Sequence, residues 1–301
     1  MKEAVDRGWY DPKSGRPFVW SEAYCPPAGE GNLSRMWLIF STIAPSLKAW
    51  PKRELTDALG PRRFYETPVE GDAFYPFSVK PEKKLSVRDI IAFQRSTFEN
   101  TIYDMTLDPA WFAAGGGASA RSPLASPFVG GEWERLLRIR HHRTIAGPGY
   151  GMVAQLRSWL PDAVGGVYWF YVDNPFVSAY VPVYAGVTDV SPLYKTYDFA
   201  SFSEDSARWA VAFVAKLMLL RWQPAARDLR QARDPLENGF FADEPGVEAK
   251  VAKILKAGGA AAASEAAKYL TDLTVSRMEK VVRMFRDLRQ LLLTKYCGDI
   301  V

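Results

Sequence analysis

Cysteine and histidine are the scarcest functional residues in this 301-residue chain, with two of each. Cys25 and Cys297 lie near opposite ends, and no C-x-x-C or Cys/His cluster exists, which argues against structural zinc. A single disulfide between them stays open on sequence grounds. His141 and His142 are adjacent, and neighbouring strand side chains point to opposite faces, so the pair is not expected to share a metal. No metal and no cofactor is expected. Long apolar runs are also missing. The richest stretches, residues 36–44 and 210–220, are shorter than the about 20 residues a bilayer span needs, so no membrane partner is expected. The start, MKEAVDRGWYDPKSG, has no apolar signal-peptide region. A cytoplasmic location is favoured and otherwise left open. Charge of one sign is scarce too. Lys and Arg total 38 against 34 Asp and Glu, a balance of +4 that gives no electrostatic case for nucleic acid. Runs such as Arg227, Asp228, Arg230, Arg233 and Asp234 alternate in sign and read as solvated helix faces.

What the chain does hold is core material: 48% hydrophobic and 14% aromatic residues, ordinary for a soluble globular protein. Gly and Pro turns dominate residues 1–30. Apolar spacing predicts a helix over 33–43, ended by Pro45. Residues 51–70 read as helical at first with Pro61 as a break, and 74–79 as extended. Ser86 is the expected cap of a helix that places Val87, Ile90, Ile91 and Phe93 inward. Residues 107–132 read as loop. AAGGGASARSP lacks the Lys-Ser/Thr that a phosphate-cradling loop needs. Strands are predicted near 137–145, 152–157, 164–172 and 179–187, with Asp173-Asn174-Pro175 as a turn. The consecutive aromatics of VGGVYWFYVD predict a strand buried on both faces.

After residue 200 the periodicity becomes helical. One helix is expected from Ser203–Ser206 with Trp209, Phe213, Leu217 and Leu220 as its stripe, ended or kinked at Pro224. Another is expected over 245–259, then a low-complexity connector (257–264), then a long helix over 264–296. Strands in the middle and helices at the end give an α+β class. The chain is read as a single domain, 1–200 in mixed helix and sheet layers and 201–301 as C-terminal helices.

Several blocks, in order, resemble the C69 dipeptidases of the N-terminal-nucleophile hydrolase superfamily. They are DRGWYDPKSGRPFVWSEAY (6–24), NLSRMW (32–37), KKLSVRDIIAFQRSTFENTIYDMT (83–106), the 155–186 block QLRSWLPDAVGGVYWFYVDNPFVSAYVPVYAG, and the helices 201–222 and 269–296. The resemblance implies a partial αββα sandwich with a helical C-terminal part, and hydrolysis of small peptides by a mature N-terminal cysteine. Its thiol would attack the amide carbonyl and its α-amine, with a pKa near 8, would exchange the proton. Neither cysteine here matches that position. The blocks match the family's later portion, so the single domain is expected to be incomplete, a truncated gene model or fragment, with a natural pseudoenzyme as the alternative. Two face-packed sheets need more strands than are visible, so this portion should expose apolar sheet surface.

The resemblance also implies site residues. Arg35, in SRMW, would hold the nucleophile's ionisation or a substrate carbonyl; the plain alternative is a solvent-facing helix arginine. Arg157 would bind a peptide carboxylate, or else form a salt bridge with Asp162 or Asp173. Tyr103 and Asp104 would line the site and meet the substrate's amine, or simply make a helix-exit turn. Asn174 would donate its amide, or only shape its turn. Gly147-Pro148-Gly149-Tyr150-Gly151 departs from the family, which carries hydroxyls just before it; Arg143-Thr144-Ile145 matches. The expected partner is a small peptide, with homo-oligomerisation left open. A non-catalytic binding or scaffold relative and an acyl-amide hydrolase are the alternatives; a wider apolar pocket would favour the latter.

Overall fold

The computed structural model describes residues 1–24, 30–46, 53–57, 60–65, 78–101, 104–112, 121–128 and 149–298. The expected strand at 137–145, the Gly-rich run at 113–120, most of 74–79, Cys25, Tyr103 and both histidines lie outside them. Two compact units divide the chain, Met1–Lys84 and Leu85–Val301.

The first unit carries three helices, α1 (Lys2–Asp6), α2 (Trp20–Tyr24) and α3 (Glu30–Ile43), then a hairpin of β1 (Arg53–Asp57) and β2 (Gly60–Tyr65). Its aromatic start folds on itself: Tyr24 stacks with Trp20 at 5.2 Å and meets Trp9 edge-on at 5.6 Å. Pro45 follows the end of α3, as the sequence predicts, and the free Ile43 carbonyl accepts the Glu82 N–H at 2.9 Å. The helix expected from residue 51 is instead this hairpin. Pro61, which cannot donate to a ladder, faces Thr56 where the register shifts, the kind of irregular position a strand proline occupies.

In the second unit, α4 (Val87–Arg95) begins at a reciprocal capping box between Ser86 and Asp89. Strands β3 (Gly149–Leu156), β4 (Gly166–Asp173) and β5 (Val181–Tyr184) form an antiparallel sheet in that order, with the short helix α5 (Asp162–Gly165) between the first two. Helices α6 (Ala207–Met218), α7 (Trp222–Leu255) and α8 (Gly259–Tyr296) complete it. The inner sheet face carries Val153, Val167, Trp169 and Tyr184, and these join Leu229, Phe240, Val247, Val251, Leu270, Val281 and Phe285 in one core. Gly151 is required here: a Cβ on it would lie 2.5 Å from the Tyr171 hydroxyl on the neighbouring strand.

Strand β4 is not buried on both faces. Its burial alternates, and on the outer face Tyr168 is half-exposed while Tyr150 and Leu156 of β3 are 77% and 79% exposed. The sheet therefore shows apolar surface on one side, as the shortage of strands predicts. The α6 stripe is also rotated. Ala207, Val211, Val214 and Met218 are buried, whereas Trp209, Phe213 and Leu217 are only partly so. Small residues let α6 approach the core closely, and the larger rings cover its flank. Pro224 sits in the first turn of α7, where its missing N–H costs nothing. Pro235 and Pro245 lie inside a continuous 34-residue α7, so the separate helix expected from Pro245 is part of it. Core packing outweighs a cost of roughly 3 kcal/mol per interior proline. Most of the Ala-rich "connector" is the start of α8; only residues 256–258 separate the helices, with the bend at Gly258 and Gly259, whose φ are 71° and 75°.

Candidate functional site

A cleft of about 570 Å³ opens between the start of α4, strand β3 and the Phe241–Glu248 stretch of α7. The fold sets each wall. Alternation on β3 sends Val153 and Gln155 inward, and the chain turns just after the strand so that Arg157 follows them into the cleft. That turn is closed by Arg157 N–H donating to the Gly165 carbonyl at 2.9 Å, and a Cβ on Gly165 would lie 2.9 Å from the Arg157 carbonyl. Trp169 stacks on Phe241 at 3.8 Å, and the Arg88 guanidinium lies 4.0 Å over the same ring. Trp169 Nε1 donates to Gln155 Oε1 at 3.3 Å.

The polar chemistry of the cleft is two arginines against two glutamates. Arg157 Nη1 pairs with Glu248, not with Asp162 or Asp173, and Nη2 donates to the Val164 carbonyl at 2.8 Å. Its Nε is buried with no hydrogen-bond partner. Glu244 is 7% exposed. Its Oε1 accepts from the Tyr184 hydroxyl and from Arg277 Nη1 at 3.3 Å, while Oε2 has no partner. Burial pushes the Glu244 carboxyl above the usual range, opposed by its hydrogen bonds with Tyr184 and Arg277 and by the charges of Arg277 and Arg157. Arg277, itself buried, also reaches Asp243 at 3.3 Å.

The other expected site residues are elsewhere. Asp104 lines a smaller polar recess of about 270 Å³ with Asn100, Thr106, Arg121 and Gln223. Its Oδ1 accepts from the Thr106 N–H and hydroxyl at 2.9 and 2.7 Å, and its Oδ2 from the Asn100 N–H at 2.8 Å. The carboxylate is thereby spent on its own turn. Asn174 Oδ1 accepts the Phe176 N–H at 2.9 Å and shapes the β4–β5 connection. Arg35 is half-buried on α3 in the first unit. Arg157 and Asp104 line different recesses, so the structure does not bring those two together.

The turn-shaping residues 174–180 are clamped to α7, and this explains much of the most telling sequence block. Arg95 donates to both Glu237 oxygens at 2.7 and 2.5 Å and to the Ser178 carbonyl at 2.9 Å. Tyr180 N–H adds a third bond to Glu237 at 2.8 Å, and Arg233 donates to the Phe176 carbonyl. A family model for peptidase family C69 matches residues 3–234. The chain belongs to peptidase family C69. No curated protein matches it. The matched stretch runs through the first unit and into the second, includes Arg35, Asp104, Arg157 and Asn174 of this C69 peptidase, and ends before Glu237, Glu244 and Glu248.

Sequence reasoning missed Glu244, Glu248, Arg88 and Arg277. Glutamates at 237, 244 and 248 recur at helical spacing on one face, but Pro245 had suggested a helix boundary between them. Cys297, the only cysteine among the described residues, caps the end of α8 and is half-buried and unbridged. Among the described residues no group of His, Cys, Asp and Glu could hold a metal, and no helix is long and apolar enough to cross a membrane.

Proposed function

We propose that this C69 peptidase is a dipeptidase of the N-terminal-nucleophile type, and that its reacting thiol is neither Cys25 nor Cys297. The observation that carries the dipeptide reading is the cleft itself. Its volume suits a short peptide, and its opposed guanidinium and carboxylate groups suit a zwitterion. Arg157, with Arg88 lining the same cleft, is the proposed holder of the substrate carboxylate. The exposed apolar outer face of the β3–β5 sheet supports an αββα sandwich in which a second sheet covers it.

In the proposed reaction the cysteine thiol attacks the scissile carbonyl carbon while its proton passes to the cysteine's own α-amine. The tetrahedral intermediate collapses, the C–N bond breaks, and that proton goes to the departing amine. Water then attacks the thioester, regenerating the thiol and releasing the amino-terminal amino acid of the dipeptide. Neither Cys25 nor Cys297 joins a free α-amine to its thiol, which is why both are assigned no part in it.

The test is to express the whole open reading frame that contains residues 1–301 and to follow cleavage of Ala-Phe. Hydrolysis that iodoacetamide abolishes, and that the Cys25→Ser/Cys297→Ser double variant retains, is the expected result. No hydrolysis, or loss of it in the double variant, would overturn the reading.

A further inference from the structure

We infer that Glu244 selects ligands carrying a free primary amine in the Arg157 cleft, so that short peptides with an unblocked amino terminus are accepted and acyl amides rejected. The inference rests on the dipeptide reading of this cleft and gives it a specificity residue.

The role first suggested for Asp104, meeting the substrate's amine, needs a carboxylate with acceptor capacity to spare. Asp104 has its two oxygens occupied by three donors of its own turn. Glu244 has the capacity: it is more than nine-tenths buried, it lines the cleft, and its Oε2 has no partner. A buried acceptor left unmade is costly, and purely structural networks avoid it. Two turns earlier on the same helix, Glu237 shows the avoided case, with both oxygens filled.

The neighbouring backbone adds acceptors rather than donors. Pro245 has no N–H, so it cannot close the usual helix bond to the Phe241 carbonyl, and both residues line the cleft. Glu248 is a second carboxylate a helical turn away. Of the two cleft carboxylates Glu248 is paired with Arg157, so the unpartnered oxygen of Glu244 is the one that calls for a ligand group with N–H donors and a positive charge, which a primary ammonium supplies and an N-acyl group does not. A cation would also stabilise the charged form of Glu244, whose carboxyl burial holds above the usual range. Arg277 donates to Oε1 and not to Oε2, and it is also held by Tyr184, by Asp243 and over the Phe240 ring at 5.3 Å. Trp169, Phe241 and Pro245 give the body of the ligand an apolar surface.

The discriminating experiment is calorimetric binding, at pH 7, of the uncleavable hydroxyethylene isosteres of Ala-Phe and N-acetyl-Ala-Phe to the whole protein and to Glu244→Gln, which keeps the side-chain volume. The wild type should bind the free dipeptide at least about tenfold more tightly than the acetylated one, because a site built for the amine leaves its acceptors unpaired otherwise. In Glu244→Gln the free peptide should weaken to the level of the acetylated peptide, whose binding stays unchanged. Discrimination that survives in Glu244→Gln, or wild-type protein that binds both peptides equally, would overturn the role of Glu244 and leave the dipeptide reading standing. If the wild type binds neither peptide, the dipeptide reading falls and this inference with it. The wild-type comparison decides by itself should the variant fail to fold.

Discussion

Glu237 and Glu244 lie seven residues apart on one helix, both buried and both beside arginine, yet they are built for different ends. At Glu237 every oxygen is used. Arg95 grips it through two nitrogens, Tyr180 N–H joins them, and the cluster ties the carbonyls of Pro175, Phe176 and Ser178 to α7. At Glu244 one oxygen is anchored by Tyr184 and Arg277 and the other is buried without a hydrogen-bond partner. The first is a clamp that fixes the β4–β5 connection. The second is a group held in place but not used up, which is what a binding residue requires.

The comparison breaks most visibly at the clamp. Glu237→Ala strands the largely buried Arg95 guanidinium and the Tyr180 N–H, and a loss of about 3–5 kcal/mol in urea unfolding is expected; a loss below about 1 kcal/mol would show the clamp to be incidental. Arg277→Met is the matching cut at the second site. Because Glu244 can take up a proton when its partner is removed, a smaller cost of about 1–3 kcal/mol is expected at pH 7, shrinking as the pH is lowered. A cost equal to that of Glu237→Ala and flat with pH would erase the distinction. Asn174→Ala removes the acceptor of one turn bond in the clamped connection. About 1 kcal/mol is expected in the same unfolding assay, with no change in dipeptide binding.

The smallest effect is one of slope. The Glu244 carboxyl is held above its ordinary value of 4.5 in the folded protein, so the folded state binds more protons than the unfolded one just above that pH. The contribution of this group is therefore fully present below pH 4.5 and is lost as pH rises through the folded value. Unfolding free energies of the wild type should fall over that range relative to those of Glu244→Gln. Parallel curves for the two proteins would place Glu244 in an ordinary, fully compensated network.

Local signals explain which parts could be read in advance. Ser86 and Asp89 announced α4 because a capping box is a contact between residues three apart. Asp173-Asn174-Pro175 announced its turn for the same reason, and the stripe Leu270, Val281, Phe285, Leu288 and Leu292 announced α8. Local rules misled where distant packing overrode them. Two interior prolines suggested breaks in α7, and an aromatic run suggested a doubly buried β4. The hairpin at 53–65 had only a weak, highly charged local pattern to announce it.

The sequence by itself determined the α+β class and the collinear blocks of a C69 peptidase, since each is a matter of local spacing or residue order. Only the tertiary structure decided what the charged residues do. It committed the Asp104 carboxylate oxygens and the Asn174 Oδ1 to their own turns, paired Arg157 with a glutamate 91 positions away, and left Glu244 with one oxygen unpartnered. Satisfaction of a buried polar atom depends on every group that reaches it through space, and no spacing rule along the chain carries that count.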